Sequence, residues 1–252
     1  MNKIFIFLKH QELYVVKVHI PNKKNMKTKF NLPTPKLLSI LLSTALLATV
    51  CLSSCKKNDN NQAGLSANVM AVNSAQGSAA QDFYVDNNKL SASAIAYTQN
   101  TDYVSVGNGS HTAEFRNSTT VNSSANVSFA PGSYNTVFFT DNNQTVVTQD
   151  DRTPPASGKA RVRFVHLASA SAVSSGVDLG LATGAKIVTG LAYKAASAYY
   201  DVDAATTFSL FVAGSSNAAL NIPTTIQAGK IYTIYVSGNT NLSVSYNVIV
   251  QN

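Results

Sequence analysis

One pattern of residues is written twice along this chain. Ala67-x-Val69-x₂-Val72 in "ANVMAVNSA" returns as Ala160-x-Val162-x₂-Val165 in "ARVRFVHLA", and Asp82 returns as Asp178. Tyr97 and Tyr103 match Tyr193 and Tyr199, Phe115 matches Phe211, and "PGSYNTVFFTDN" from Pro131 matches "AGKIYTIYVSGN" from Ala228. The offset stays between 93 and 97 positions, so one module is present in two copies. A period of that length is too long for a solenoid and the right size for tandem globular domains. Each copy is made of short runs rich in Val, Ile, Thr, Tyr and Phe, such as "DFYVD", "NTVFFT", "KIYTIYVSG" and "LSVSYNVIV", separated by Gly, Asn, Ser and Pro clusters. Such runs read as strands and turns. No amphipathic helix is evident; "GLAYKAASAYYD" is alanine-rich, but its tyrosines favour strand and turn. About seven strands in about 90 residues suit an immunoglobulin-like sandwich. The expectation is therefore all-β, with two tandem immunoglobulin-like antiparallel β-sandwich domains at residues 66–150 and 159–252. A linker, 151–158, joins them, and its Pro154-Pro155 makes a stiff, exposed connection.

What precedes the repeats has a different character. Residues 1–54 hold eight lysines and a single acid, Glu12, whereas the other 198 residues hold eleven basic and eleven acidic side chains. The formal charge of +7 belongs to the leader, so the repeats carry no electrostatic footprint for nucleic acid. "LLSILLSTALLATVCL", Leu37 to Leu52, has no charge over sixteen residues. That is short for a bilayer span and suits the apolar region of a secretory signal, with "KTK" after Met26 as its basic flank. Met26 is the expected true start, and a retained signal-anchor helix is the rival reading.

The chain has two cysteines, Cys51 and Cys55. Two thiols do not complete a tetrahedral zinc site, and no histidine stands nearby. "LSSC", with Leu52, Ser53 and Ser54 ahead of Cys55, resembles the lipobox of bacterial lipoproteins. That resemblance implies cleavage before Cys55, a diacylglycerol on its sulfur and an acylated new amino terminus. Cys51 fits less well, because Val50 is bulky at the cleavage position. Several acyl chains hold a neutral protein at a membrane without a basic patch. Residues 55–65, opening "CKKNDNNQAG", then form a polar tether. Lys56 in place of Asp is similar to lipoproteins released to the outer membrane. The Lys56, Lys57, Asp59 cluster is similar to post-cysteine export signals of Gram-negative surface lipoproteins. The implied location is the outer membrane, facing the cell surface, with a periplasm-facing arrangement as the alternative.

Further residues carry a family likeness. Asp82-Phe83-Tyr84-Val85-Asp86, "VRFVHLASASAVSSGVDL" and Ala228-Gly229-Lys230-x-Tyr232-Thr233 resemble the domain of unknown function 4397 family. The second copy departs from it at Gly180, where Tyr84 stands in the first, and Asn73 stands where the second copy has His166. The resemblance implies secreted or lipid-anchored β-sandwich modules and no established activity.

Chemistry-bearing clusters are few. His111 and His166 lack partners at ligand spacing, so no metal and no cofactor is expected. Asp201 and Asp203 share one strand face without a cation loop behind them and read as a solvated edge. Asp82 and Asp178 recur, as turn or strand-start residues do. Lys159, Arg161 and Arg163 form a stripe, read as an edge strand that discourages sheet-to-sheet pairing. The four matched tyrosines read as core packing with hydroxyls at the rim. There is no Gly-x-Ser-x-Gly elbow or phosphate-cradling loop. No catalytic residue is assigned. The expected function is display of the tandem modules for binding, adhesion or scaffolding, toward an extracellular polymer or a protein partner. A glycan-binding accessory of a polysaccharide uptake system is the alternative, with an envelope hydrolase behind it.

Overall fold

The structure is a computed structural model that describes residues 2–9, 12–19, 66–241 and 243–251. The signal segment, the lipobox Leu52-Ser53-Ser54-Cys55 and the tether lie outside the described residues. Near the amino terminus β1 (Asn2–Lys9) and β2 (Glu12–His19) pair antiparallel, and they belong to a unit of their own, Met1–Asn58.

The rest is one compact unit, Asp59–Asn252, built almost wholly of strands. Its first half contains β3 (Ser66–Asn73), β4 (Asp82–Val85), β5 (Asn88–Lys89), β6 (Val104–Gly107), β7 (Gly109–Asn117), β8 (Thr120–Phe129), β9 (Tyr134–Thr140) and β10 (Gln144–Asp150). The second contains β11 (Lys159–His166), β12 (Val177–Leu181), β13 (Lys186–Leu191), β14 (Tyr200–Asp203), β15 (Phe208–Val212), β16 (Ala218–Ile222), β17 (Ile231–Ser237) and β18 (Ser245–Val250). Sheet order is β10-β9-β3-β6 over β5-β4-β7-β8 in the first half, and β14-β11-β17-β18 over β13-β12-β15-β16 in the second. The fold is all-β and sandwich-like, as the run pattern requires.

Three details refine that expectation. The sheets are not purely antiparallel: β3 pairs parallel with β9 and β11 with β17. Each of those pairs is separated by a long excursion through the opposite sheet, which parallel pairing requires. Asn68 sits opposite Tyr134 and Arg161 opposite Ile231, so the register itself repeats. In the other sheets Phe83 pairs with Phe115, but Leu179 pairs with Leu210. Leu210, and not Phe211, therefore takes the place of Phe115.

Side-chain alternation explains the layering. On β3, Ala67, Val69 and Ala71 enter a core with Phe83, Phe115, Phe129 and Phe139. On β11, Ala160, Val162 and Phe164 enter another with Leu179, Phe208, Leu210 and Ile234. The opposite faces of these strands are buried too. Met70, Val72, Phe138 and Val146 of the first half meet Val165, Leu167, Tyr235 and Ile249 of the second in a third core. Each such aliphatic or phenyl side chain contributes roughly 1.5–3 kcal/mol on burial. The halves are thus joined face to face as well as through the linker. Tight turns complete each sandwich; at the β4–β5 corner Asp86 and Asn87 both take positive φ, 48° and 65°, as a type I′ hairpin requires.

Candidate functional site

The inner sheets bring polar groups to both ends of the third core. At one end Arg163, its side chain 2% exposed, is paired with Asp150, whose side chain is fully buried. Arg163 Nε donates to Thr233 Oγ1 at 2.8 Å and Nη1 to the Gln149 carbonyl at 2.8 Å. Asp150 Oδ2 accepts from Tyr103 at 2.6 Å and from Thr136 at 2.7 Å. Burial first, and the Asp150 carboxylate second, push the Tyr103 hydroxyl pKa far up, so it remains a donor. Gln251 closes the network, accepting from Tyr199 Oη at 2.8 Å and donating to Tyr103 Oη at 3.3 Å. A buried ion pair is costly unless further hydrogen bonds satisfy its members. Here Asp150 accepts from Tyr103 and Thr136 as well as Arg163, while Arg163 also donates to Thr233 and Gln149.

At the other end Tyr97 Oη lies 3.0 Å from Ser237 Oγ and 3.1 Å from Ser245 Oγ. Ser169 donates to Asp141 Oδ2 at 3.3 Å, again across the halves. Asp141 is desolvated, which raises its pKa above the usual carboxylate value despite three donors.

The matched tyrosines were expected to lie in the cores of their own sandwiches. The structure instead sends Tyr97 and Tyr103 to partners of the second half. Tyr199 lies beside both Arg163 and Arg161, whose guanidinium carbons stand 5.2 and 5.5 Å from its ring centre. The basic stripe needs the same correction. β11 is flanked by β14 and β17, so it is not an edge. Its charges serve as seam fasteners: Arg163 on Asp150, and Arg161 on Asp151 at 2.5 Å. Lys159 holds Asp203 at 2.6 Å, while Asp201 accepts from the Ala156 amide at 3.0 Å; both aspartates are exposed on the edge strand β14.

Where the linker leaves β10, a groove of about 620 Å³ opens beside this network, with Tyr134, Asp150, Asp151, Arg152, Arg163 and Tyr199 in its wall. Asp151 is held below the usual carboxylate range by Thr153 and by Arg161. Arg152 lies over Tyr134 and Tyr103, at 4.7 and 5.3 Å from their ring centres. Its Nε is buried without a hydrogen-bond partner. An unanswered buried donor costs on the order of 1–3 kcal/mol.

The remaining singled-out residues are structural. His166 is fully buried; its Nε2 meets the Val173 carbonyl at 3.2 Å, pinning the loop after β11. Asn73 pins the matching loop through Ile95 and Ser78. Asp82 and Asp178 each hold a lysine of the facing strand, Lys89 at 2.8 Å and Lys186 at 2.7 Å. His111 bridges Asp86 and the Gly107 carbonyl. Among the described residues no three His, Cys, Asp or Glu gather as a metal site, and no helix is long and apolar enough to cross a membrane. The groove was not visible in the sequence, because its wall combines residues from β9, β10, the linker, β11 and the segment before β14.

Residues 67–176 match the family described as Domain of unknown function (DUF4397). The match takes in Asp82–Asp86 and Val162–Gly176, while Val177-Asp178-Leu179 and Ala228–Thr233 lie outside it. The DUF4397 match runs through the first half and the linker and ends at Gly176, past β11. It therefore takes in most of the groove wall. No curated protein matches the sequence.

Proposed function

We propose that this chain is a non-catalytic, lipid-anchored cell-envelope protein that displays its paired β-sandwiches for binding, adhesion or scaffolding. The observation that carries the reading is the third core: two sandwiches fastened along a whole sheet face make a stiff body suited to holding a surface away from a membrane. Cys55, in its lipobox-like setting, supplies the anchor, and the tether separates it from the first strand. The carboxylates of the groove are held by arginines, which suits recognition better than proton transfer. Replacing Cys55 by Ala should abolish labelling by a palmitate analogue; persistent label sinks the anchor. Protease digestion of the repeats on intact cells supports surface display, whereas protection until lysis turns the reading to a periplasm-facing scaffold.

The glycan-binding alternative is favoured by one feature, the tyrosine- and arginine-walled groove. It would place binding at the seam between the halves and not on an open sheet face.

A further inference from the structure

We infer that the seam groove is a binding site for a carboxylate-bearing sugar, with Arg152 as its anion anchor. The inference rests on the binding reading of the groove and is independent of the lipid anchor. The groove, about 620 Å³, is within the range of small-molecule sites. A second hollow of about 670 Å³ among Leu90–Val104 offers a single charged residue, Asp102, and no aromatic ring.

Charge accounting in the groove isolates one residue. Asp150 is answered by Arg163 and Asp151 by Arg161. Arg152 has no carboxylate and no hydrogen-bond partner among the described residues, and its buried Nε is unanswered. Arg163 in the wall answers Asp150, and Arg161 answers Asp151 from outside the wall, which leaves the Arg152 charge without a carboxylate. A guanidinium presents a planar fork of donors that matches a carboxylate in two parallel bonds. Its guanidinium carbon stands 5.3 and 4.7 Å from the ring centres of Tyr103 and Tyr134, which hold it at the groove. Beside it the Ser133 and Ser197 hydroxyls already donate to the Ala130 and Ala198 carbonyls, so toward the groove they are acceptors for the hydroxyls of a polyol, and Tyr199 supplies a ring. A lone inorganic anion brings no hydroxyls for those acceptors; a neutral sugar would leave Arg152 unanswered.

The test uses the full-length chain in detergent and isothermal titration with glucuronate, glucose and inorganic phosphate. Glucuronate should bind at least tenfold more tightly than glucose or phosphate, and Arg152→Gln should remove that preference. Arg152→Lys keeps the charge but loses the fork, and should weaken glucuronate by several-fold while leaving some preference over glucose. Because Arg152 also stacks on Tyr134 and Tyr103, thermal melts of both variants accompany the titrations and should show a cooperative transition as in the parent. Equal binding of glucose overturns the anion anchor and leaves the groove as a glycan site. Phosphate binding as tightly as glucuronate overturns the sugar assignment. Binding of none of the three overturns the inference, and surface display is then judged by the intact-cell digestion alone.

Discussion

Strands β3 and β11 hold the same place in their sheets, yet they meet across the seam with different chemistry. β3 presents Asn68 and Met70 where β11 presents Arg161 and Arg163, in identical register to their parallel partners. The outer strands differ in the complementary sense. Asp150 faces Tyr134 on β9, while Gln251, bonded to the Ile231 carbonyl, stands in the matching place. The carboxylate of the first half and the amide of the second enter one network through Tyr103, so the same end of the seam joins a buried ion pair to a neutral amide. The two halves, alike in strand order and in the register of their parallel strands, form a matched but unequal pair. Arg163 and Asp150 fasten the halves from opposite sides of the seam, and the groove lies beside that pair.

The largest effect expected from breaking this asymmetry is at Arg163. Arg163→Met, which copies β3, leaves Asp150 buried and uncompensated, and should cost about 3–5 kcal/mol in chemical denaturation. Adding Asp150→Gln, which copies the second half, should restore most of that loss. A single mutant as stable as the parent would show that Asp150 is not held as a buried charge. The double mutant failing to recover would show that the pair contributes more than mutual neutralisation.

A second contrast lies in the outer sheets. Tyr84 packs under Arg116, whose guanidinium carbon is 4.1 Å from its ring centre, whereas Gly180 fills the matching place on β12. A Cβ on Gly180 would stand 2.7 Å from the Ala185 carbonyl oxygen, a backbone atom that cannot swing aside. The register shift between Leu179 and Gly180 brings that loop close. Gly180→Ala should therefore destabilise by about 1–3 kcal/mol, and an unchanged denaturation midpoint would refute the close approach. The close approach of Ala185 leaves no room on β12 for a side chain like that of Tyr84.

The loop anchors Asn73 and His166 sharpen the comparison through pH. Burial lowers the His166 pKa below its unfolded value of 6.5, so the folded state carries the neutral ring. Below that value the unfolded chain binds the extra proton, so stability is held above pH 6.5 and declines as pH falls toward the folded pKa. The ring faces the edge of Tyr193 at 5.9 Å and the Val173 carbonyl, and no carboxylate bonds to it among the described residues. The decline is limited to about 1.4 kcal/mol per pH unit for one proton. His166→Asn, copying the first half, should flatten the difference between denaturation midpoints at pH 7.5 and 5.5. An undiminished difference would assign it to other groups; Asp141 is not one of them, because its raised pKa favours the folded state as pH falls.

The strands and their grouping were legible in the sequence because alternation and turn residues are local signals. So was the common register, since a constant offset in sequence becomes a constant offset in pairing. The seam was harder to see. "NTVFFT" and "KIYTIYVSG" are apolar at both parities, which is what a sheet covered on both faces produces. Arg161 and Arg163 pointed the other way, because charge on a strand ordinarily marks solvent. Their partners, Asp150 and Asp151, stand only ten to thirteen residues earlier, yet nothing local shows that the chain turns back there. The groove combines β9, β10, the linker, β11 and the segment before β14, and has no linear signature. The lipobox, by contrast, is wholly a sequence signal.

The seam's centre offers the most delicate comparison. Phe138 and Tyr235 occupy matching positions, opposite Val72 and Val165 in their parallel pairs, and they touch each other with ring centres 5.6 Å apart. Equivalent residues in mutual contact mark a local two-fold relation between the halves. The pair differs by one hydroxyl, and that hydroxyl is buried without a hydrogen-bond partner. Burial raises its pKa, so it stays neutral, yet its desolvation is unrepaid. Tyr235→Phe makes the centre symmetric and should leave stability unchanged or raise it by up to about 1 kcal/mol. A loss above that size in denaturant titration would mean that the hydroxyl is answered across the seam. The difference between the two rings would then be part of what keeps the halves unequal.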